Sequence, residues 1–342
     1  MSDEASYWPG GGVPVQITCR GRYQTMIVAD GDFSWEPSDY FECCEYMGGP
    51  KLRYLVVRSQ SLRKCMERYY REHFDGLYIS GAHGFTRRDL NFLKDYPDIQ
   101  RLEIRHADSL QIGGLAYLKQ LRHLWIEDNQ QPLDLSWFPH LRSLVIDWDR
   151  NIAWPNRLET LEHLSISRYR PKSKDFTELP EFPSLKSLQV IQSPIHSLAG
   201  LERFGRLRYL NLAYCTKLER IGELSCESLR ALELDVCRKI SDHAHVATLP
   251  RLELLKMTHC GQMPSIAFVR SMPRLKWFIF AYTGVLDGDM TPCLGLEMVS
   301  FDDKKHYSHT CEQIQTMIRE RLGPRYPRRT WWEMVGEILS SP

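Results

Sequence analysis

No window of the sequence approaches the ~18 consecutive apolar residues that a membrane-spanning helix requires. The opening residues, Met1-Ser-Asp-Glu-Ala-Ser-Tyr-Trp-Pro, hold neither a basic stretch nor an apolar run, which sets the expectation of no secretory signal and a cytoplasmic protein. Cysteine is too sparse for a disulfide scaffold, with 10 in 342 residues, and free thiols in a reducing compartment are expected. Neither sign of charge is in excess: 44 Lys and Arg stand against 43 Asp and Glu, for a net charge of +1. Bulk attraction to nucleic acid or to an anionic membrane is therefore not expected. With 25% charged and 43% hydrophobic residues, disordered and fibrous classes are excluded. The GxxxxGK(S/T), GxSxG, HExxH and GxGxxG motifs are all missing.

What the chain does have is a repeat. The pattern apolar-x-x-apolar-x-apolar occurs twelve times. It runs from Leu52-Leu55-Val57 and Phe74-Leu77-Ile79, through Leu185-Leu188-Val190 and Leu207-Leu210-Leu212, to Leu275-Phe278-Phe280 and Leu296-Val299-Phe301. The step between units is about 22 residues. Within a unit the apolar positions n, n+3 and n+5 point inward, the last two with the period of a strand. One unit cannot bury that face alone, so stacked units must form a parallel sheet over a continuous core. Positions such as Ile112, Leu115 and Leu118 close the core on the return path, which is too short for full α-helices and is expected to be 3₁₀ turns and loops. Pro139, Pro183, Pro250 and Pro273 fit turns leading into strands.

These units resemble the leucine-rich repeat family, in particular its short, internalin-like bacterial type, over roughly residues 50–305. The run Ile195-x-x-Leu198-x-x-Leu201-x-x-Phe204-x-x-Leu207-x-x-Leu210-x-Leu212 carries the likeness best. The resemblance implies an α/β leucine-rich repeat solenoid of about twelve repeats, a curved horseshoe with its parallel sheet on the concave side. The family's usual Asn beyond each strand survives at Asn129, and Asp149, Ser193, Cys215, Cys237 and Cys260 occupy the same slot in other units. Residues 1–50 are expected as an N-terminal cap with strands at 13–19 and 24–29, an Asp30-Gly31 turn and a hairpin extending the sheet. Residues 51–305 form the array and 306–342 a helical C-terminal cap and tail. Thr310-Cys-Glu-Gln313 reads as a capping box before Ile314, Met317, Ile318 and Leu322 at helical spacing, with Gly323-Pro324 as the stop. Residues 330–339, rich in Trp and aliphatics, read as a last short helix docked on the solenoid.

Cys215, Cys237 and Cys260 recur at one slot, as a metal or redox column would, but buried reduced thiols at the Asn position are the expectation. Cys19, Cys43, Cys44 and Cys65 lack CxxC spacing, and no metal or cofactor is expected. His259-Cys260 is adjacent in sequence, so its side chains point apart. His243-x-His245 has no third ligand nearby, and Asp147-Trp-Asp149 and Asp287-Gly-Asp289 lack the rest of a calcium loop. No enzyme is expected.

Positions n+2, n+4, n+6 and n+7 face the concavity or its rim, where two patches stand out. The first has Trp125, Glu127, Asp128, Asp147 and Trp148, flanked by Arg101, Arg105, His106 and His123. It reads as a partner surface or as a solvated, ion-paired face. The second has Leu254, Trp277, Ile279, Tyr282 and Met298, with Tyr209 and Tyr214 nearby. It reads as a partner surface or as a surface covered by the tail residues Trp331 and Trp332. The resemblance implies a non-catalytic protein-binding module, in its concrete form a bacterial immunity protein that masks a toxin domain bearing a basic patch. An adaptor in a larger complex and a secreted effector acting on host proteins are the alternatives. No nucleic acid or membrane partner is expected.

Overall fold

The computed structural model describes residues 40–44, 51–106, 109–222, 224–326 and 329–341. The strands expected at 13–19 and 24–29 and the Asp30-Gly31 turn lie outside these, as does Cys19. One sheet takes its strands in chain order: β1 (Tyr40–Cys44), β2 (Lys51–Val56), β3 (Gly76–Ser80), β4 (Arg101–Arg105), β5 (His123–Ile126), β6 (Ser143–Asp147), β7 (His163–Ser167), β8 (Ser187–Ile191), β9 (Tyr209–Ala213), β10 (Ala231–Asp235), β11 (Leu254–Thr258), β12 (Trp277–Phe280) and β13 (Met298–Phe301). From β2 to β13 every pairing is parallel and equivalent repeat positions face one another, as in Leu188, Leu210, Leu232 and Leu255. At the edge, β1 pairs antiparallel with β2. This is the leucine-rich repeat solenoid that the repeat implies.

The n+1 carbonyl of one coil accepts two N–H groups from the next. Gln100 O takes those of Arg122 and His123, Arg122 O those of Arg142 and Ser143, and the rule continues to Lys276 O with Glu297 and Met298. At the far end of the strand, the n+7 N–H donates to the n+6 carbonyl of the following coil, as Gln192 does to Ala213 and Tyr214 to Asp235. The chain leaves the strand through a left-handed residue there, at His106, Asp128, Arg168, Gln192, Tyr214, Val236, His259 and Tyr282. Coils are thus sewn together at both ends of each strand, and the inward triads stack into a single core.

The return path is mostly short 3₁₀ turns, such as Gly113–Tyr117 and Ala267–Ser271. The first unit departs from that expectation with a full helix, α1 (Leu62–Arg71). That stretch has no Gly or Pro, and its buried Met66 and Tyr69 lie at helical spacing. After β13 the chain forms α2 (Cys311–Leu322), whose Thr310 and Gln313 make the expected capping box, with Ile314 and Ile318 closing the core. Helix α3 (Trp331–Ser340) follows, capped by Thr330 and Glu333.

The cysteine column is part of the sewing. Cys215 Sγ donates to Val190 O at 3.8 Å, Cys237 Sγ to Leu212 O at 3.5 Å and Cys260 Sγ to Leu234 O at 3.3 Å. Ser193 Oγ continues the column on one side, donating to Tyr169 O, and Thr283 Oγ1 continues it on the other, donating to Met257 O. His243, buried on the convex side, reaches Cys260 O with Nε2 at 2.8 Å. Burial pushes the Cys260 thiol up to about 12, and Cys237 rises too through its hydrogen bond with Cys215.

Two outcomes follow from this core. Leu210→Ala empties a fully buried inward position and should cost about 2–5 kcal/mol in denaturant unfolding; an unchanged midpoint would show the register to be wrong. A thiol reagent at neutral pH should leave Cys215, Cys237 and Cys260 unmodified in the native protein and label them in guanidinium chloride, as read by mass spectrometry.

Candidate functional site

The sheet presents its n+2 and n+4 side chains on the concave face in columns that run across the strands. Near β4 and β5 the n+4 column is charged and aromatic. The Arg105 guanidinium stacks on Trp125 at 3.5 Å from the ring centroid and pairs with Glu127 and, at 3.7 Å, with Glu103. The Trp125 indole donates to Glu127 Oε1 at 3.0 Å. Trp125 is thereby fixed in orientation and remains half-buried. Beyond it the face carries half-buried Val145, Ser165 and Gln189 beside a column of buried Ser143, half-buried His163 and buried Ser187.

Asp147 and Trp148 depart from the expected surface. Asp147 is buried: its carboxylate accepts the Asp128 N–H at 2.9 Å, in place of a backbone carbonyl, and holds Arg168 at 2.6 Å. Burial pushes its carboxyl above the usual range, against the Asp128 N–H and Arg168 that pull it down. Asp147 is therefore a brace between coils rather than a steering charge. Trp148 is absent from the left-handed positions of its column, and its ring stacks on Trp154 and meets Tyr169 edge-on at 4.8 Å, against the core. It does not join the concave patch. Asp128 stays partly open, near Arg168 and His106. The guanidinium groups of Arg105 and Arg168 are set against the carboxylates of Glu103, Glu127, Asp128 and Asp147, with Arg101 close to His123 on the same face.

The second patch is covered. Tyr209, Leu254, Trp277 and Ile279, with Ala231, pack beneath Trp331, Met334, Val335, Ile338 and Leu339 of α3, and Met298 lies at the margin. Leu254 is fully buried and Trp277 is 1% exposed, so the tail reading of this surface holds and the open one is corrected: its apolar residues are met by the stripe of α3. The Tyr209 hydroxyl donates to Glu233 at 2.8 Å, and Lys256 bridges Glu233 to the rings of Trp331 and Trp332. Arg208 and Arg230 clasp the far end of α3, at the Ile338 and Ser341 carbonyls and the Ser341 hydroxyl. Cations at a helix C-terminus oppose its dipole favourably. Tyr214 and Tyr282 stand apart on the left-handed rim, where Tyr282 is 61% exposed and stacks on His259.

Between Trp125 on β5 and the α3-covered Tyr209 on β9 the face is a trough four strand spacings wide, roughly 19 Å. The sequence pattern did not single out Arg208, Arg230, Arg168 or Thr283. The first two belong to an n+1 column of mixed charge that has no motif, and Arg168 and Thr283 become visible only once the n+7 and n+8 columns are aligned unit by unit. Among the described residues no helix is long and apolar enough to cross a membrane, and no group of three His, Cys, Asp or Glu is placed to hold a metal ion.

No protein-family model matches the chain, and no curated protein matches it in sequence. Several solved structures are similar to part of it. The functional domain of InlJ from Listeria monocytogenes, which includes a cysteine ladder, is 18% identical over 66% of this chain and 50% of that one, with a TM-score of 0.48. The chain thus spans half the length of that domain. An internalin, inlF, from the same organism is 15% identical over 63% of this chain and 78% of that one, with a TM-score of 0.35. A leucine-rich repeat protein of Leptospira interrogans is 14% identical over 78% of this chain and 69% of that one, with a TM-score of 0.43.

Buried His123 and half-buried His163 on the trough face set a pH limit. Gly76 leaves room for the Tyr54 ring to lie across β3, and Tyr54 meets the edge of His123 with centroids 6.5 Å apart. Burial first, and Arg101 second, lower His123 to about 3, while burial lowers His163 to about 4. The unfolded chain protonates these rings near pH 6.5 and the folded chain does not. Stability is therefore complete above pH 6.5 and falls as pH drops toward 4, by about 1.4 kcal/mol per pH unit for each ring. Denaturant unfolding should show this loss, and His123→Gln should flatten the curve between pH 6.5 and 4.5.

Proposed function

We propose, on the scaffold of a leucine-rich repeat solenoid, that this chain is a non-catalytic protein-binding module whose open trough receives a segment of one cognate protein. In its concrete form it is a bacterial immunity protein, and the partner is a toxin domain with a basic patch that is masked on binding. One observation carries the reading: Trp125 is held half-buried at the edge of the trough by Arg105 and Glu127. An aromatic ring that is oriented in advance loses little entropy when a partner covers it. The floor at Val145, Ser165 and Gln189 lets a partner backbone approach, and the carboxylates of Glu127 and Asp128 complement a basic surface. Cys237 and Cys260 belong to the cysteine column, and His123 is buried in the sheet face. Tyr214 and Tyr282 on the rim extend the surface a partner meets.

Native pull-down with mass spectrometry identifies the partner, and two arms then test the reading. Trp125→Ala should weaken binding about thirtyfold, mostly through faster dissociation, with the fold unchanged. The partner expressed alone should arrest growth, and co-expression of this chain should relieve the arrest. Wild-type affinity in Trp125→Ala together with Val145→Arg would remove the trough as the site. A harmless partner would turn the reading to an adaptor.

A further inference from the structure

The buried apolar residues fall into two separate clusters. The larger is the solenoid core between the sheet and the convex segments. The smaller lies on the opposite face of the sheet and consists of α3 and the strand residues beneath it. The core therefore closes without α3, and α3 rests where a ligand would rest.

Its seating is incomplete in one respect. The indole N–H of Trp277, 1% exposed, and that of Trp331, 8% exposed, find no acceptor among the described residues. A donor taken out of water with no acceptor opposes the burial that hides it. Helix α3 thus holds the groove by apolar area at the expense of two unpaired donors, its own at Trp331 and one in the groove, that of Trp277, which a different occupant can satisfy. The clasp at its end is equally general: Arg208 and Arg230 bind a carbonyl and a hydroxyl at a helix C-terminus, and any helix presenting its C-terminus, or a carboxylate, meets them as well.

We propose that α3 is a replaceable resident, and that the groove beneath it is a second protein-binding site, for an amphipathic helix of a partner. That helix carries apolar residues at the i, i+3, i+4 and i+7 spacing of Trp331, Met334, Val335 and Ile338. It carries a carboxylate or amide oxygen opposite the Trp277 indole, and it lies with its C-terminus toward Arg208. The chain joining α2 to α3 is short, so α3 competes at an effective concentration of ~1 mM. An incoming helix prevails by supplying the acceptor for the Trp277 indole that α3 lacks, without bringing an unpaired donor of its own as α3 does at Trp331. The groove is distinct from the open trough, so the two readings stand or fall separately.

A labelled peptide of residues 329–341, offered to the full-length protein, measures replaceability without a partner in hand. Val335→Asp in the protein weakens the resident helix, and the peptide should then bind at least about tenfold more tightly than to wild type. Adding Leu254→Asp in the groove should abolish that gain. Trp277→Phe removes the unpartnered donor and keeps a ring in place, and it should slow hydrogen exchange across residues 331–340 about fivefold. Loss of the cooperative sheet transition in Val335→Asp would show that α3 is part of the core and overturn the proposal. A native fold with no gain in peptide binding, or faster exchange in Trp277→Phe, would overturn it as well.

Discussion

Every coil must hand two N–H groups at its entry and one at its exit to its neighbours, and must lay its three apolar side chains on theirs. A coil displaced by one residue would lose the paired donation to the n+1 carbonyl and would turn its apolar set to the wrong face. Register is therefore fixed along the whole array, and with it the columns of n+2 and n+4 side chains on the concave face. The surface that a partner meets is a consequence of how the backbone is satisfied.

Where the repeat bends its own rule, a charged side chain takes over a backbone task. At the coil beginning with Leu141 the residue after the strand is not left-handed, and the Asp147 carboxylate receives the N–H that a carbonyl receives elsewhere. Arg168 then neutralises that carboxylate, and Trp148 turns to pack against the core. Asp302 does the same for the Tyr282 N–H near the C-terminal end. Acidic residues that look like a binding surface in the sequence can thus be mortar between coils, and burial is what distinguishes them.

The concave face is divided by the same logic. At the N-terminal end the Trp125, Arg105 and Glu127 assembly leaves an oriented ring at the edge of a trough. At the C-terminal end the n+2 column is apolar, at Tyr209, Ala231, Leu254, Trp277 and Met298, and water cannot be left on it without cost. Helix α3 answers that need from outside the core, with Lys256, Arg208 and Arg230 fixing its two ends.

The sequence by itself determined the twelve stacked units, their register, the columns, the cysteine slot and both helix starts, because each of these follows from a short-range period or from residues three apart. It also placed apolar residues on the face at Leu254, Trp277 and Ile279. It did not determine whether they were open or covered. That choice rests on a segment far along the chain, as in the bond from Arg208 to the Ile338 carbonyl across 130 residues. Likewise, Trp148 shares its repeat position with exposed Tyr214 and Tyr282 and differs in lacking their left-handed backbone. Periodicity fixes what lies within a coil. Only tertiary structure, which sets distant pieces of chain side by side, decided what lies across it.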